Sequence, residues 1–238
     1  MLGQSRFCMS HALWKKDFGY GGGAVLATGF VDGCIRLYAL TADGDSVPMR
    51  DASEVRSPTT VEAVTDGTDP DAPIYTMHGH TGSVQCLAWL MSPSATIDTV
   101  TASPAAPAEV PGATAEPKRW LVSGARDGQV RIWDPVPGGR GCVGVLKGHS
   151  GGVNCCAVCA TTGLIVTGGD DRTAKVWDPA TLSFVATLRG HTQYIVSVAV
   201  VGRLVVSAGA DGTARAWFLN PDNLDGGDAG CCAAHPLG

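Results

Sequence analysis

Serine, histidine and aspartate in one chain invite a search for a nucleophilic triad, and this sequence offers three. His80, Ser123 and Asp127, then His149, Thr167 and Asp171, then His191, Ser207 and Asp211 each combine an imidazole, a hydroxyl and a carboxylate. In a hydrolase these would be base, nucleophile and orienting acid. A nucleophile, however, occurs once per active site. Here the trio occurs three times, each time with a tryptophan attached: Trp133, Trp177 and Trp217. Such repetition marks a stability device, so no catalytic residue is assigned and the chain is not read as an enzyme.

Two other constellations fare no better as chemistry. Cys156 and Cys159 form a CxxC, with Cys142 and Cys155 near in sequence. They fall on a strand, where side chains alternate between faces, so the two thiols point apart. Tetrahedral zinc needs convergent thiolates, usually across a turn. Small core or inter-sheet cysteines are the better reading, and Cys231-Cys232 has no partner motif. Gly21-Gly22-Gly23 lacks the following Lys-Ser/Thr and the helix that would present amides to a phosphate. No cofactor and no metal is expected.

The elements that carry the trios recur as a unit. Gly79-His80, Gly148-His149 and Gly190-His191 open three segments, and Gly148 and Gly190 stand 42 residues apart. Each leads to an apolar β-branched run, a small-residue turn, an Asp and an aromatic. A fourth copy lies upstream, with Thr28, Asp32 and Tyr38. In all four the hydroxyl precedes the Asp by four positions and the aromatic follows it by six. Runs such as Leu204-Val205-Val206 read as strands, and Asp-Gly at Asp32, Asp127 and Asp211 is a hairpin signal, because Gly supplies the positive φ of a tight reversal. No long stripe with a 3.6-residue period is present, so the class is all-β.

A unit of this length and motif resembles the WD-repeat (WD40) family of β-propellers. The resemblance implies about four four-stranded antiparallel blades, the last incomplete, as a partial or open propeller. It further implies that each trio and its Trp form a buried hydrogen-bonded relay: His80/Ser123/Asp127/Trp133, His149/Thr167/Asp171/Trp177 and His191/Ser207/Asp211/Trp217. An indole donates, a carboxylate accepts, and a hydroxyl or neutral imidazole does both, so the four satisfy one another inside a sheet. The first copy departs from the pattern: Tyr38 replaces Trp, no Gly-His precedes it, and His11 reads as a strand or surface residue. Blade 1 is expected to be the least stable.

Blade 1 is placed at residues 1–78, blade 2 at 79–147, blade 3 at 148–189, blade 4 at 190–219 and a flexible tail at 220–238. After Trp217 no convincing outer strand follows. Two stretches rich in Ala, Pro, Thr, Ser and Asp, 43–73 and 93–118, read as disordered insertions in blades 1 and 2. Ser57-Pro58, Ser92-Pro93 and Ser103-Pro104 in or beside them are Ser-Pro pairs of a kind that is mostly never modified.

Bulk properties narrow the partners. Hydrophobic residues make up 45% of the 238, charged residues 16%, and net charge is −5. Without clustered Lys or Arg, the chain lacks the surface that nucleic acid or anionic membrane requires. No apolar run reaches the ~18–20 residues that span a bilayer. Met1 to Tyr20 lacks the apolar core of a secretory signal, and nine cysteines show no framework spacing. An intracellular setting, cytoplasmic or nuclear, is expected.

The resemblance implies a non-catalytic scaffold that presents blade loops to partner proteins. The alternative is a segment of a longer WD-repeat protein, such as a ubiquitin-ligase substrate receptor or an RNA-processing subunit, whose other parts carry the specific function. Val136 and Ala180 stand where ligase adaptors often place an Arg, which weakens that pathway. Self-association or completion by another propeller would cover the open ends. The loop face implied by the resemblance carries Val31, Arg126, Asp170 and Ala210 before the turn aspartates. Beside the first strands it carries Ser83, Gln85, Gly152, Asn154, Tyr194 and Val196. Arg126, Tyr194, Asp170, Gln85 and Asn154 are the expected partner-binding residues, Arg and Tyr first, because they combine contact area with directional hydrogen bonds.

Overall fold

The computed structural model describes residues 8–15, 24–40, 61–63, 73, 75–91, 119–135, 141–219, 228–229 and 231–236. Among them are eighteen strands and no helix. Blade 1 is built from β1 (Cys8–Lys15), β2 (Ala24–Phe30), β3 (Ile35–Leu40), β4 (Val61–Ala63) and β5 (Tyr75–Met77). Blade 2 contains β6 (Val84–Met91), β7 (Arg119–Ala125), β8 (Gln129–Asp134) and β9 (Gly141–Lys147). Blade 3 contains β10 (Val153–Val158), β11 (Ile165–Gly169), β12 (Thr173–Asp178) and β13 (Ser183–Arg189), with β17 (Asp228–Ala229) beside it. Blade 4 contains β14 (Ile195–Val201), β15 (Leu204–Gly209), β16 (Thr213–Phe218) and β18 (Cys231–Pro236).

Each blade is an antiparallel meander whose register repeats. Thr28 stands opposite Arg36, Ser123 opposite Arg131, Thr167 opposite Lys175 and Ser207 opposite Arg215. A bulge early in the first strand also recurs, at Cys8/Ser10, Val84/Cys86, Val153/Cys155 and Ile195/Ser197. A one-residue slip would turn every apolar side chain to the wrong face. The constant register therefore keeps equivalent residues at equivalent seams.

The turn after the second strand is tight. Gly33, Gly128 and Gly212 sit there with φ of 80°, 76° and 75°. Blade 3 has Arg172 at that position, with φ of 65°. A side chain in the left-handed region is strained where glycine is not.

The core consists of three seams between blades. Ala27, Ile35 and Leu37 of blade 1 pack with Val84, Leu87 and Trp133 of blade 2. Val122, Val130 and Ile132 of blade 2 pack with Val153, Ile165 and Trp177 of blade 3. Val166, Ala174 and Val176 of blade 3 pack with Ile195, Val198 and Trp217 of blade 4. β1 packs on β6, β6 on β10 and β10 on β14, and no comparable packing joins β14 to β1 among the described residues. The four blades form an open arc.

The tail corrects the sequence reading. Residues 220–238 were expected to be flexible, leaving blade 4 without an outer strand. Instead β18 pairs antiparallel with β16, Arg215 opposite Ala234 and Trp217 opposite Cys231, and gives blade 4 its fourth strand. Just before it, β17 runs parallel to β13 on blade 3, so the tail bridges both outer edges. The sequence hid this because Cys-Cys-Ala-Ala-His-Pro has no β-branched residue; pairing of an unfilled backbone edge outweighs weak side-chain propensity. Val61–Ala63 likewise lies inside the 43–73 insertion yet pairs with β5. Residues 93–118 lie outside the described residues, as do the Ser-Pro pairs, the glycine run at 21–23 and Val136.

Candidate partner-binding surface

Inside each of blades 2 to 4 the repeated residues meet. The Trp133 indole donates to Ser123 Oγ at 2.8 Å, Ser123 Oγ lies 2.7 Å from His80 Nε2, and His80 Nδ1 lies 2.9 Å from Asp127 Oδ2. In blade 3, Trp177 to Thr167, Thr167 to His149 and His149 to Asp171 are all 2.8 Å. In blade 4 the distances are 2.9, 2.8 and 2.9 Å for Trp217–Ser207, Ser207–His191 and His191–Asp211. With a neutral imidazole protonated on Nδ1, one proton serves each bond: indole to hydroxyl, hydroxyl to Nε2, Nδ1 to carboxylate. The hydroxyl spends both its donor and an acceptor inside the chain, and its neighbour on one side is an indole rather than a substrate pocket.

The carboxylate end also organises backbone. Asp127 accepts from the Thr81 and Gln129 amides, Asp171 from Ser150 and Thr173, and Asp211 from Thr192 and Thr213. Burial pushes each carboxyl up, but the histidine and these amides outweigh it and hold all three below the ordinary aspartate range. The relay thus clamps the loop entering the first strand to the turn after the second.

Blade 1 has no such chain among the described residues. Thr28 donates to the Arg36 carbonyl at 3.2 Å, and Asp32 accepts from Arg36 Nη2 at 2.9 Å. The Arg36 guanidinium lies 4.3 Å from the centre of the Phe30 ring. His11 stands opposite Thr28 in register but is exposed on β1. Arg36 belongs to a set that sequence reasoning missed: Arg36, Arg131, Lys175 and Arg215 each follow the turn aspartate by four positions. Lys175 Nζ donates to Thr187 at 3.1 Å and Arg131 Nη2 to Gln129 at 3.0 Å. The fixed spacing was a readable signal.

Gly82, Gly151 and Gly152 lie against the turns that carry Arg126 and Asp170, so loops and turns of blades 2 and 3 meet on one loop surface of the arc. The Arg126 amide donates to the Ser83 carbonyl at 2.9 Å, Asp170 to Gly152 at 2.8 Å and Ala210 to Tyr194 at 2.9 Å. Gln85 Nε2 donates to Ser83 Oγ at 2.7 Å. Asn154 Nδ2 donates to Asp170 Oδ1 at 2.8 Å and to the Ile195 carbonyl at 3.2 Å, linking blade 3 to blade 4. A Cβ on Gly152 would lie 2.9 Å from Asp170 Oδ2 and 3.3 Å from Arg126 Cα, so this glycine sits tightly between the two turns and a side chain there would displace the Asp170 carboxylate. Arg126 and Asp170 are exposed, Gln85 and Asn154 half-buried, and Tyr194 is 50% exposed. The result is a cation, a carboxylate, an amide and an aromatic ring side by side across three blades, their backbones fixed. Val31 and Val196 are exposed, and Ser83 and Ala210 half-buried.

The cysteines face different seams. Cys156 packs with Cys86 across the seam of blades 2 and 3, while Cys159 Sγ donates to the Gly202 carbonyl of blade 4 at 3.5 Å. Burial pushes the Cys86 thiol well up, and burial together with Cys156 pushes Cys155 up to about 12. Burial also pushes Cys159 up, but hydrogen bonds from Thr161 and Thr162 outweigh it and bring that thiol down to about 7. The two members of the CxxC, Cys156 and Cys159, thus face different seams. The side chains of Cys231 and Cys232 lie outside the described residues. Ala180 donates its amide to Asp178 at 2.9 Å.

Three of the four repeats of this chain match WD repeats. The family model described as WD domain, G-beta repeat matches residues 116–134, 140–178 and 182–217, which carry the relays of blades 3 and 4 and all of the blade 2 relay except His80. Among curated proteins the chain is similar to CCR4-associated factor 4 homolog of Candida glabrata, 31% identical over 39% of this chain and 17% of that protein. It is similar to nuclear distribution protein PAC1 of Arthroderma otae, 30% identical over 43% of this chain and 24% of that protein. Elongator complex protein 2 of Saccharomyces cerevisiae is 29% identical over 40% of this chain and 12% of that protein. The chain spans less than a third of the length of these relatives. In fold it resembles the computationally designed Ika4 protein, with a TM-score of 0.57 and 19% identity over 92% of this chain and 94% of that one. It also resembles U3-55K, with a TM-score of 0.58 and 19% identity over 93% and 51%.

Proposed function

We propose that the chain is a non-catalytic interaction scaffold, and that the loop surface carrying Arg126, Asp170, Asn154, Gln85 and Tyr194 is where a protein partner docks. One observation carries the reading: hydrogen bonds in three blades hold the backbones of Arg126, Asp170 and Tyr194 and the side-chain amides of Gln85 and Asn154, while the Arg126, Asp170 and Tyr194 side chains stay open to solvent. Preorganised contacts of this kind lose little entropy on binding. Among the described residues the Arg126 guanidinium has no intramolecular hydrogen bond, so its donors suit a carboxylate or carbonyl of a partner chain. The relays enter as stability residues: they hold the turns that present the surface. No helix among the described residues is long and apolar enough to cross a membrane; an intracellular setting and protein partners, not nucleic acid, fit the family's relatives, one of which is named as part of a complex.

The test is affinity capture from cells with the wild-type chain beside Arg126→Glu and Tyr194→Ala. The expected result is a defined set of proteins retained by wild type and lost by both variants, with unchanged circular dichroism. Equal capture by all three would sink the surface.

A second reading, that the chain is a segment of a longer WD-repeat protein, is supported by the small share of each relative that it spans. In that reading other blades supply the specificity, and ubiquitin-ligase or RNA-processing roles belong to the longer protein. A native mass well above that of the 238 residues on an immunoblot would support it.

A further inference from the structure

All three seams are built alike. Alternating residues of one blade's second and third strands form a face, and the first strand of the next blade covers it. Val122 and Ile132 in blade 2 and Val166 and Val176 in blade 3 are 0% exposed for this reason. The same face of blade 4 carries Leu204, Val206 and Phe218, and these are 43%, 38% and 48% exposed. Register fixes the equivalence: Val206 pairs with Ala216 as Val166 pairs with Val176 and Val122 with Ile132.

The other end of the arc is its complement. In β1, Ser10 and Ala12 turn toward blade 2: Ser10 Oγ donates to the Val84 carbonyl, and Ala12 packs in that seam. His11 and Leu13 therefore turn away from it. They stand where Leu87 and Trp89 stand in β6, Cys156 and Val158 in β10, and Val198 and Val200 in β14. Those pairs fill seams, whereas His11 is exposed and Leu13 is 46% exposed.

Among the described residues, one chain thus carries one covering strand with no face beneath it and one face with no strand upon it, at opposite ends of an open arc. We propose that a second copy of this chain supplies what each end lacks: β1 of each protomer packs on the Leu204–Val206–Phe218 face of the other. The contact joins two different surfaces, so it is heterologous, and such contacts close into a ring when the rotation permits. Four blades from each of two copies make eight, within the number around which propellers close. The pair makes the seam twice, from elements equivalent to those of the chain's own three seams, with His11 standing where those seams carry Leu87, Cys156 and Val198.

The experiment is light scattering during size-exclusion chromatography on the full chain. Wild type should run at twice 24.4 kDa. Leu13→Glu and, separately, Val206→Glu should each run as folded monomers, with wild-type circular dichroism, since both residues are exposed within one chain; Phe218→Lys serves if Val206→Glu does not fold. Mixing Leu13→Glu with Val206→Glu should bring back a dimer, because one of its two seams then joins two unaltered surfaces. Arg126→Glu, on the loop surface, should leave the mass at that of the dimer, which separates this test from the scaffold reading. A wild-type monomer with a cooperative melt, a ladder of larger assemblies, or a dimer indifferent to all three seam substitutions would each overturn the proposal.

Discussion

Blades 1 and 3 have the same strand order, the same register and a Thr and Asp at the same two positions, yet they solve the same problem differently. In blade 3, Thr167 stands between an indole and an imidazole, and Asp171 ends the chain on two backbone amides. In blade 1, Thr28 turns to a strand carbonyl and Asp32 holds a guanidinium. A Trp at the third-strand position brings a donor into the sheet that must be satisfied, and the His and Asp follow from that need. Blade 1 has Tyr38 in place of the indole, and there the cation shared by all four blades takes the carboxylate. The relay is a consequence of a buried donor, not a requirement of the blade.

The comparison breaks most sharply at the hydroxyl. Thr167→Val keeps the shape and removes the oxygen, leaving the Trp177 N–H and His149 Nε2 buried without partners. At roughly 1–3 kcal/mol for each orphaned group, a loss of about 3 kcal/mol is expected. Thr28→Val removes one long bond to a carbonyl already in the ladder and should cost under about 1 kcal/mol. Urea melts of the two variants read this directly. Equal losses would mean that the distances in blade 3 do not represent energy.

Next in size is the carboxylate. Asp171→Ala should cost roughly 2 kcal/mol at neutral pH, since several bonds to a charged acceptor go at once. Its pH dependence has a fixed sign. A carboxyl held below its unfolded value stabilises the fold fully above the ordinary aspartate pKa of ~3.9, and that contribution fades as pH falls through it toward the folded value. Wild type should therefore lose tryptophan burial more steeply than Asp171→Asn as pH drops below about 4. Parallel acid titrations would count against the relay's electrostatic share.

Much of this was legible in advance because the repeat fixes it. Four copies of one spacing give the strands, the turns and the residues that meet, and the Asp-Gly turns at 32, 127 and 211 give the reversals. What failed to show was whatever depends on backbone pairing between distant segments. β18 is small and polar in sequence, and becomes a strand because β16 offers an unpaired edge. The proposed docking surface lay between. Each of its residues could be placed one at a time, but the closeness of Arg126 to Asp170 rests on Gly152 and on the angle between two blades, which no local pattern encodes.

Blade 3 also departs from the others in a way that works against it. Arg172 holds the left-handed φ that Gly33, Gly128 and Gly212 hold elsewhere. Arg172→Gly should relieve about 1 kcal/mol of strain, less the extra freedom gained by the unfolded chain. A rise of no more than about two degrees in Tm is the expected outcome. A fall would mean that the exposed arginine makes a compensating contact.

The smallest effect on stability separates the two surfaces most cleanly. Arg126 precedes the relay aspartate Asp127 by one residue, but its side chain leaves the sheet while that of Asp127 enters it. Only its backbone amide is held, by Ser83, and any side chain keeps that bond. Arg126→Glu should therefore shift stability by no more than about 0.5 kcal/mol, as exposed substitutions generally do. The same change reverses the charge beside Asp170 and places two carboxylates where a partner met one of each sign, which should abolish capture. Neighbouring positions would then divide by the direction of the side chain alone, with Asp127→Ala losing fold and partner together and Arg126→Glu losing only the partner. A melt in which Arg126→Glu falls as far as Asp127→Ala would show that the turn is one energetic unit, and that stability and recognition cannot be assigned to separate residues there.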